Sequence, residues 1–111
     1  MAGFVYLIGQ LDNKEMFKIG VTKKDVNLRL KELQTGSSEE LYVCSHFFSK
    51  FSHKLEKMLH RHFSSNNKIN EWFTLDESQY TNFQQICEKY ENILNSLQDN
   101  PFFNKKSVRL F

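Results

Sequence analysis

The stretch GFVYLIGQLDNKEMFKIG, residues 3–20, commits one end of this chain to an antiparallel hairpin. Phe4-Val5-Tyr6-Leu7-Ile8 and Met16-Phe17-Lys18-Ile19-Gly20-Val21 are runs of β-formers, and Asp12-Asn13-Lys14 between them supplies turn chemistry. Side chains alternate across a strand, so the polar groups within these runs need a purpose. Tyr6 lends its ring to a core while its hydroxyl reaches an edge, which on its own is the behaviour of a structural aromatic. Lys18 interrupts Met16-Phe17-Ile19 and either faces solvent or lines a polar cleft.

Beyond the hairpin the period changes. Val26, Leu30 and Leu33 recur at i, i+4 and i+7, which predicts a helix over Lys24–Gln34. Thr22 or Asp25 is available to cap its start, and Thr35-Gly36-Ser37-Ser38 closes it. Leu41–Phe48 reads as a third strand. Ser52 offers an N-cap for a second helix over His53–Phe63, with Leu55, Met58, Leu59 and His62 on one face. Ser64–Lys68 reads as a polar loop, and Glu71–Leu75 as a short edge or closing strand. A last helix over Glu77–Leu97 carries Tyr80, Phe83, Cys87, Tyr90, Leu94 and Leu97 in alternating steps of three and four, one apolar stripe that either packs on the sheet or forms a dimer seam. Pro101 ends it, and a basic and aromatic tail follows. The expected class is α+β, a small antiparallel sheet of three main strands flanked by helices in the order ββαβαβα. The expected organisation is a core over 1–75, a helix over 76–98 and the tail over 99–111.

A chain of 111 residues has room for one core and little for a second. No apolar run approaches the roughly 20 residues that span a bilayer, and MAGFVYLIGQ lacks the basic leader of a signal peptide. Cys44 and Cys87 have no CxxC spacing and read as two buried, reduced thiols, which places the protein in cytoplasm or nucleus. The net charge of +2 is unevenly spread. Residues 1–70 carry 11 Lys/Arg against 7 Asp/Glu, residues 71–99 carry 1 against 6, and the tail adds Lys105, Lys106 and Arg109. Phosphate binding answers to local charge, so the basic first half suits a nucleic-acid partner.

Several side chains have the types that phosphodiester hydrolysis requires: an activated nucleophile, charge stabilisation at phosphorus and help for the leaving group. Glu56 stands at the margin of the second helix's buried stripe, where a carboxylate suits a hard divalent cation. His53 and His60 lie on neighbouring faces. The same cluster is also what the polar face of an ordinary amphipathic helix contains. Arg29, beside the buried side of its helix, either snorkels or clamps a phosphate with its planar fork.

In their joint order, Phe4-Val5-Tyr6, Lys18-Ile19-Gly20, Arg29, Leu55-Glu56, His60 and Glu71-Trp72-Phe73 resemble the GIY-YIG nuclease superfamily over residues 3–75. The likeness is to a compact branch common in viruses and phages, in which KIG replaces YIG. The resemblance implies a metal-dependent DNA endonuclease. Tyr6 would position or deprotonate the attacking water, Arg29 would stabilise charge at phosphorus, and His60 would be the polar neighbour. Glu56 would hold one Mg2+ or Mn2+. Lys18, standing where many members have a second tyrosine, would bind phosphate or lower the phenol's pKa by its charge. Lys23, Lys24, Lys57, Arg61 and Asn70 are the expected substrate contacts. The superfamily's asparagine after the glutamate has only Asn66, Asn67 and Asn70 as neighbours in sequence. Without a separate DNA-binding domain, affinity would rest on the tail and basic patches and be salt-sensitive. The other reading is a catalytically inactive module of the same fold that binds nucleic acid or a protein, or dimerises through the last helix.

Overall fold

The computed structural model describes residues 2–98, and the tail over 99–111 lies outside the described residues. Strands β1 (Gly3–Gln10) and β2 (Asn13–Thr22) form the hairpin, followed by helix α1 (Val26–Thr35), strand β3 (Leu41–Ser49) and helix α2 (Ser52–His62). Two three-residue strands come next, β4 (Asn67–Ile69) and β5 (Trp72–Thr74), then helices α3 (Glu77–Thr81) and α4 (Phe83–Gln98). The fold is α+β, with one antiparallel sheet in the order β3-β1-β2-β5-β4. Among the described residues no helix is long and apolar enough to cross a membrane.

Strand β1 is an interior strand buried on both faces, which is why its run Val5–Ile8 is continuously apolar or aromatic rather than alternating. Val5 and Leu7 join Phe17 and Ile19 on one face, packed against Leu55, Leu59 and Phe63 of the α2 region and Phe83, Cys87 and Leu94 of α4. Tyr6 and Ile8 point to the other face, with Val26 of α1 and Leu41. The sheet is thus sandwiched between α2 with α4 and the shorter α1. Tyr80, Phe83, Cys87, Tyr90 and Leu94 of the last apolar stripe pack in or against the chain's own core.

Four expectations are corrected. The sheet has five strands rather than three main ones, because Ser64–Lys68 is not a loop: Ser64–Asn66 is one 3-10 turn and Asn67 begins β4. A three-residue polar strand carries no periodicity. It is held by the Asn67 amide, which donates to the Asn70 and Trp72 carbonyls across a turn in which Asn70 adopts a φ of 52°. The last helix is broken at Asn82, whose side chain donates to the Ser78 carbonyl while the Thr81 hydroxyl donates to Glu77 O, local bonds that compete with helix continuation. Ser52 is the first residue of α2 rather than its cap; Phe51 stands at the cap position. Cys44 is only half-buried, whereas Cys87 is buried and its thiol is pushed up to about 12 by desolvation.

Candidate active site at the edge of β2

The hairpin register sets Tyr6 opposite Gly20. A Cβ added at Gly20 would stand 2.3 Å from the Tyr6 hydroxyl oxygen and 2.5 Å from Cζ. The ring therefore lies across β2 on the α1 side of the sheet, in space that only glycine leaves open. Its φ is not positive, so Gly20 is needed for close approach and not for backbone strain.

Helix α1 brings Arg29 to this ring. Asp25 caps the helix, its carboxylate accepting from Asn27 N–H at 2.7 Å. One turn in, Arg29 lies close enough to the Tyr6 hydroxyl to act on its ionisation, and it donates to Glu32 Oε1 at 3.1 Å. Glu32 in turn holds Lys24 Nζ at 2.5 Å. Burial pushes the Tyr6 pKa up, opposed by the Arg29 hydrogen bond and charge and reinforced by the nearby Glu71 and Glu56 carboxylates. The phenol is accordingly a neutral hydroxyl at physiological pH.

Glu56 reaches the same place from the opposite side of the sheet because β5 is short. Strand β2 pairs with β5 only at Met16–Lys18. The next residue, Ile19, donates its N–H to Glu71 O at 3.1 Å, and its carbonyl lies 2.9 Å from His60 Nε2. A carbonyl only accepts, so Nε2 carries a proton. The imidazole is further fixed edge-on to Phe73 at 5.0 Å. Where β5 stops, α2 closes the edge of β2 and presents its polar residues there. Glu56 Oε2 is 4.0 Å from His60 Nε2, and its side chain is 16% exposed. Desolvation raises the Glu56 pKa, opposed first by His60; Glu71 adds to the rise, while His53 and Lys18 counter it.

Of the residues singled out in the sequence, Tyr6, Lys18, Arg29, Glu56 and His60 are gathered at this edge. Lys18 Nζ is 3.2 Å from Glu71 Oε1 and 5.5 Å from the centre of the Trp72 ring. The other five are dispersed. Lys23 and Lys24 are exposed at the entrance to α1, and Lys57 and Arg61 on the outer side of α2. Asn70 is exposed in the β4–β5 turn, bordering a cleft of about 220 Å³ with His60, Ser64, Asn67 and Phe73. Glu71 is the residue that sequence reasoning passed over. It was visible only as the first letter of an EWF strand, yet its charge bears on both Tyr6 and Glu56.

No group of three or more His, Cys, Asp or Glu side chains able to hold a metal occurs among the described residues. A closed zinc-type cage is thus not built here. One half-buried carboxylate does fit a hard octahedral ion that keeps water and phosphate oxygens as its remaining ligands.

Residues 3–90 match the model of the T5orf172 domain. The chain belongs to the T5orf172 family. A T5orf172 domain is of the nuclease type, and the matched span runs from β1 into α4, taking in every residue of the edge cluster. No curated protein and no solved structure matches the chain.

Proposed function

We propose that this T5orf172 domain is a metal-dependent DNA endonuclease with a GIY-YIG-type site, of the compact kind with KIG as its second motif. The supporting observation is the meeting of three groups far apart in sequence: the Tyr6 hydroxyl beside Arg29, and the desolvated Glu56 carboxylate, which acts on Tyr6 and lies 4.0 Å from His60. Glu56 is the residue that would hold Mg2+ or Mn2+, and such an ion would supply Lewis-acid stabilisation of the phosphoryl oxygens. The neutral Tyr6 hydroxyl orients the attacking water, with the Arg29 guanidinium close by. Arg29 holds Glu32 only through an exposed pair, a contact of a kind that gives way readily. A phosphate arriving beside Tyr6 takes over the guanidinium, which then faces the charge that develops at phosphorus. Lys18 supplies a second cation, and His60 keeps α2 docked on Ile19. Lys23, Lys24, Lys57 and Arg61 flank the site as non-specific phosphate contacts, with Asn70 at its far rim.

A second reading has its own observation. Arg29 is paired with Glu32 and Lys18 with Glu71, so both cations are engaged within the chain. That arrangement suits an inactive module binding nucleic acid or a protein. Nicking of supercoiled plasmid separates the two. Activity with Mg2+ or Mn2+ that EDTA abolishes, and that Glu56→Ala and Arg29→Ala each reduce by about a hundredfold or more, establishes the nuclease. Intact plasmid in every lane from folded protein refutes it in favour of the binding module.

A further inference from the structure

Beside the edge cluster, on the α1 side of the sheet, lies a cleft of about 350 Å³. Leu33 and Leu41 make it partly apolar. Gln10, Ser37 and Ser38 supply neutral polar groups, and Lys18 and Trp72 form the wall shared with the catalytic cluster. Among the described residues the Gln10 amide has no partner, so both its donor and its acceptor are available to a ligand. Trp72 is the only tryptophan in the chain. It is half-buried against the Tyr6, Ile8, Val26 and Leu41 cluster, with the Lys18 ammonium over its ring.

We infer that this cleft receives one unpaired nucleobase next to the scissile phosphate, stacked on Trp72 and read at its edge by Gln10. The inference rests on the nuclease reading of the adjoining cluster and names its substrate class: DNA with an unpaired nucleotide at the cut, such as a single strand, a flap or a branch. The volume lies at the small end of ligand sites, enough for one nucleotide and far too little for a duplex. The lining is also apt for a base rather than a phosphate, because Lys18 is its one charged side chain. The Lys18 side chain is only 17% exposed, so its contact with the ring competes with stacking on comparable terms, and the phosphate that an entering base brings draws the ammonium off the ring face. Every base offers a π-face, so recognition tolerates sequence while requiring that the base be out of the helix.

Because Trp72 is unique, its fluorescence reports on this cleft alone. The test titrates full-length protein in excess EDTA with a single-stranded oligodeoxynucleotide, with the same strand carrying abasic sites, and with a blunt duplex. Saturable quenching by the single strand, with the abasic strand and the duplex at least about tenfold weaker, supports the cleft. Equal quenching by all three, or none by any, overturns it. Gly36→Leu is the blocking variant. Gly36 borders the cleft, its φ of −96° suits any residue, and an added Cβ meets only Leu33 O at 4.0 Å. This variant should keep the wild-type melting curve and lose the quenching, and retained quenching in folded protein overturns the assignment. Ser38→Leu blocks the same opening should Gly36→Leu not fold. Binding is read without cleavage, so the two readings fail separately. Plasmid nicking without quenching removes the cleft and leaves the nuclease. Quenching without cleavage of any substrate removes the nuclease, while the stacking site stands.

Discussion

Replacing Gly20 by alanine tests how the site is built. The added methyl carbon would sit 2.3 Å from Tyr6 Oη, 2.5 Å from Cζ and 2.8 Å from Cε1. Ordinary contact begins near 3.4 Å, so the ring must retreat by about 1 Å from a site where Tyr6 is 1% exposed and packed with Ile8, Val26 and Leu41. Overpacking of this kind costs roughly 1–3 kcal/mol. At about 5 °C per kcal/mol for a domain of this size, the Tm falls by about 5–15 °C. The same retreat pulls the hydroxyl from Arg29, so plasmid nicking drops more than stability does. The assay is a double-mutant cycle of thermal or urea unfolding with Tyr6→Leu, which removes the ring that the methyl would strike. In that background Gly20→Ala becomes nearly neutral, leaving a coupling energy of about 1–3 kcal/mol. Additivity to within about 0.5 kcal/mol would refute the steric account. Gly9→Ala is the control: its Cβ meets the Tyr42 ring at 2.6 Å, but Tyr42 is only half-buried and can swing outward. It should cost less than about 1 kcal/mol and leave nicking unchanged.

Glu56→Gln should stabilise the protein at neutral pH. Burial raises the folded-state pKa of Glu56 above its unfolded value near 4.3, so its favourable contribution is complete below that value and is lost as pH rises through the folded pKa. The variant's Tm advantage should thus be largest at pH 7–8 and vanish near pH 4, and an advantage that grows on acidification would contradict the assignment. Glu71→Gln removes one of the charges that raise the Glu56 pKa. It should shift the acid limb of the nicking profile to lower pH, and an unmoved limb would contradict the placement of Glu71 beside Glu56. Phe83→Ala truncates a fully buried ring that α4 inserts into the larger core. Unfolding should show a loss of about 3–5 kcal/mol, and a near-neutral result would mean that α4 is an appendage.

What the sequence made legible and what it hid follow from the range of the forces involved. The hairpin, α1, β3 and α2 each have a buried face long enough to impose a period; their boundaries moved by a residue or two, except that β2 starts three residues earlier, at Asn13, within the expected turn. Strand β4 has no buried face at all, its three residues being exposed, and exists because one asparagine side chain ties the turn behind it. The division at Asn82 left the apolar stripe intact, since Tyr80 and Phe83 still face the same core on either side of it. No count of hydrophobic spacing could reveal that break.

The site divides in the same way. Tyr6, Arg29 and Glu56 were legible as residue types at ordered positions, but nothing local said that they meet. Their meeting depends on β5 stopping at Trp72, which leaves the Ile19 carbonyl for His60 and lets α2 bring Glu56 round the edge of the sheet. A longer β5 would satisfy Ile19 with backbone and shut Glu56 away from the Tyr6 face. Glu71 stands just before that short strand: its carbonyl accepts from Ile19 N–H beyond the paired residues while its carboxylate holds Lys18. The residue that sequence reasoning overlooked therefore marks the point where sheet gives way to site.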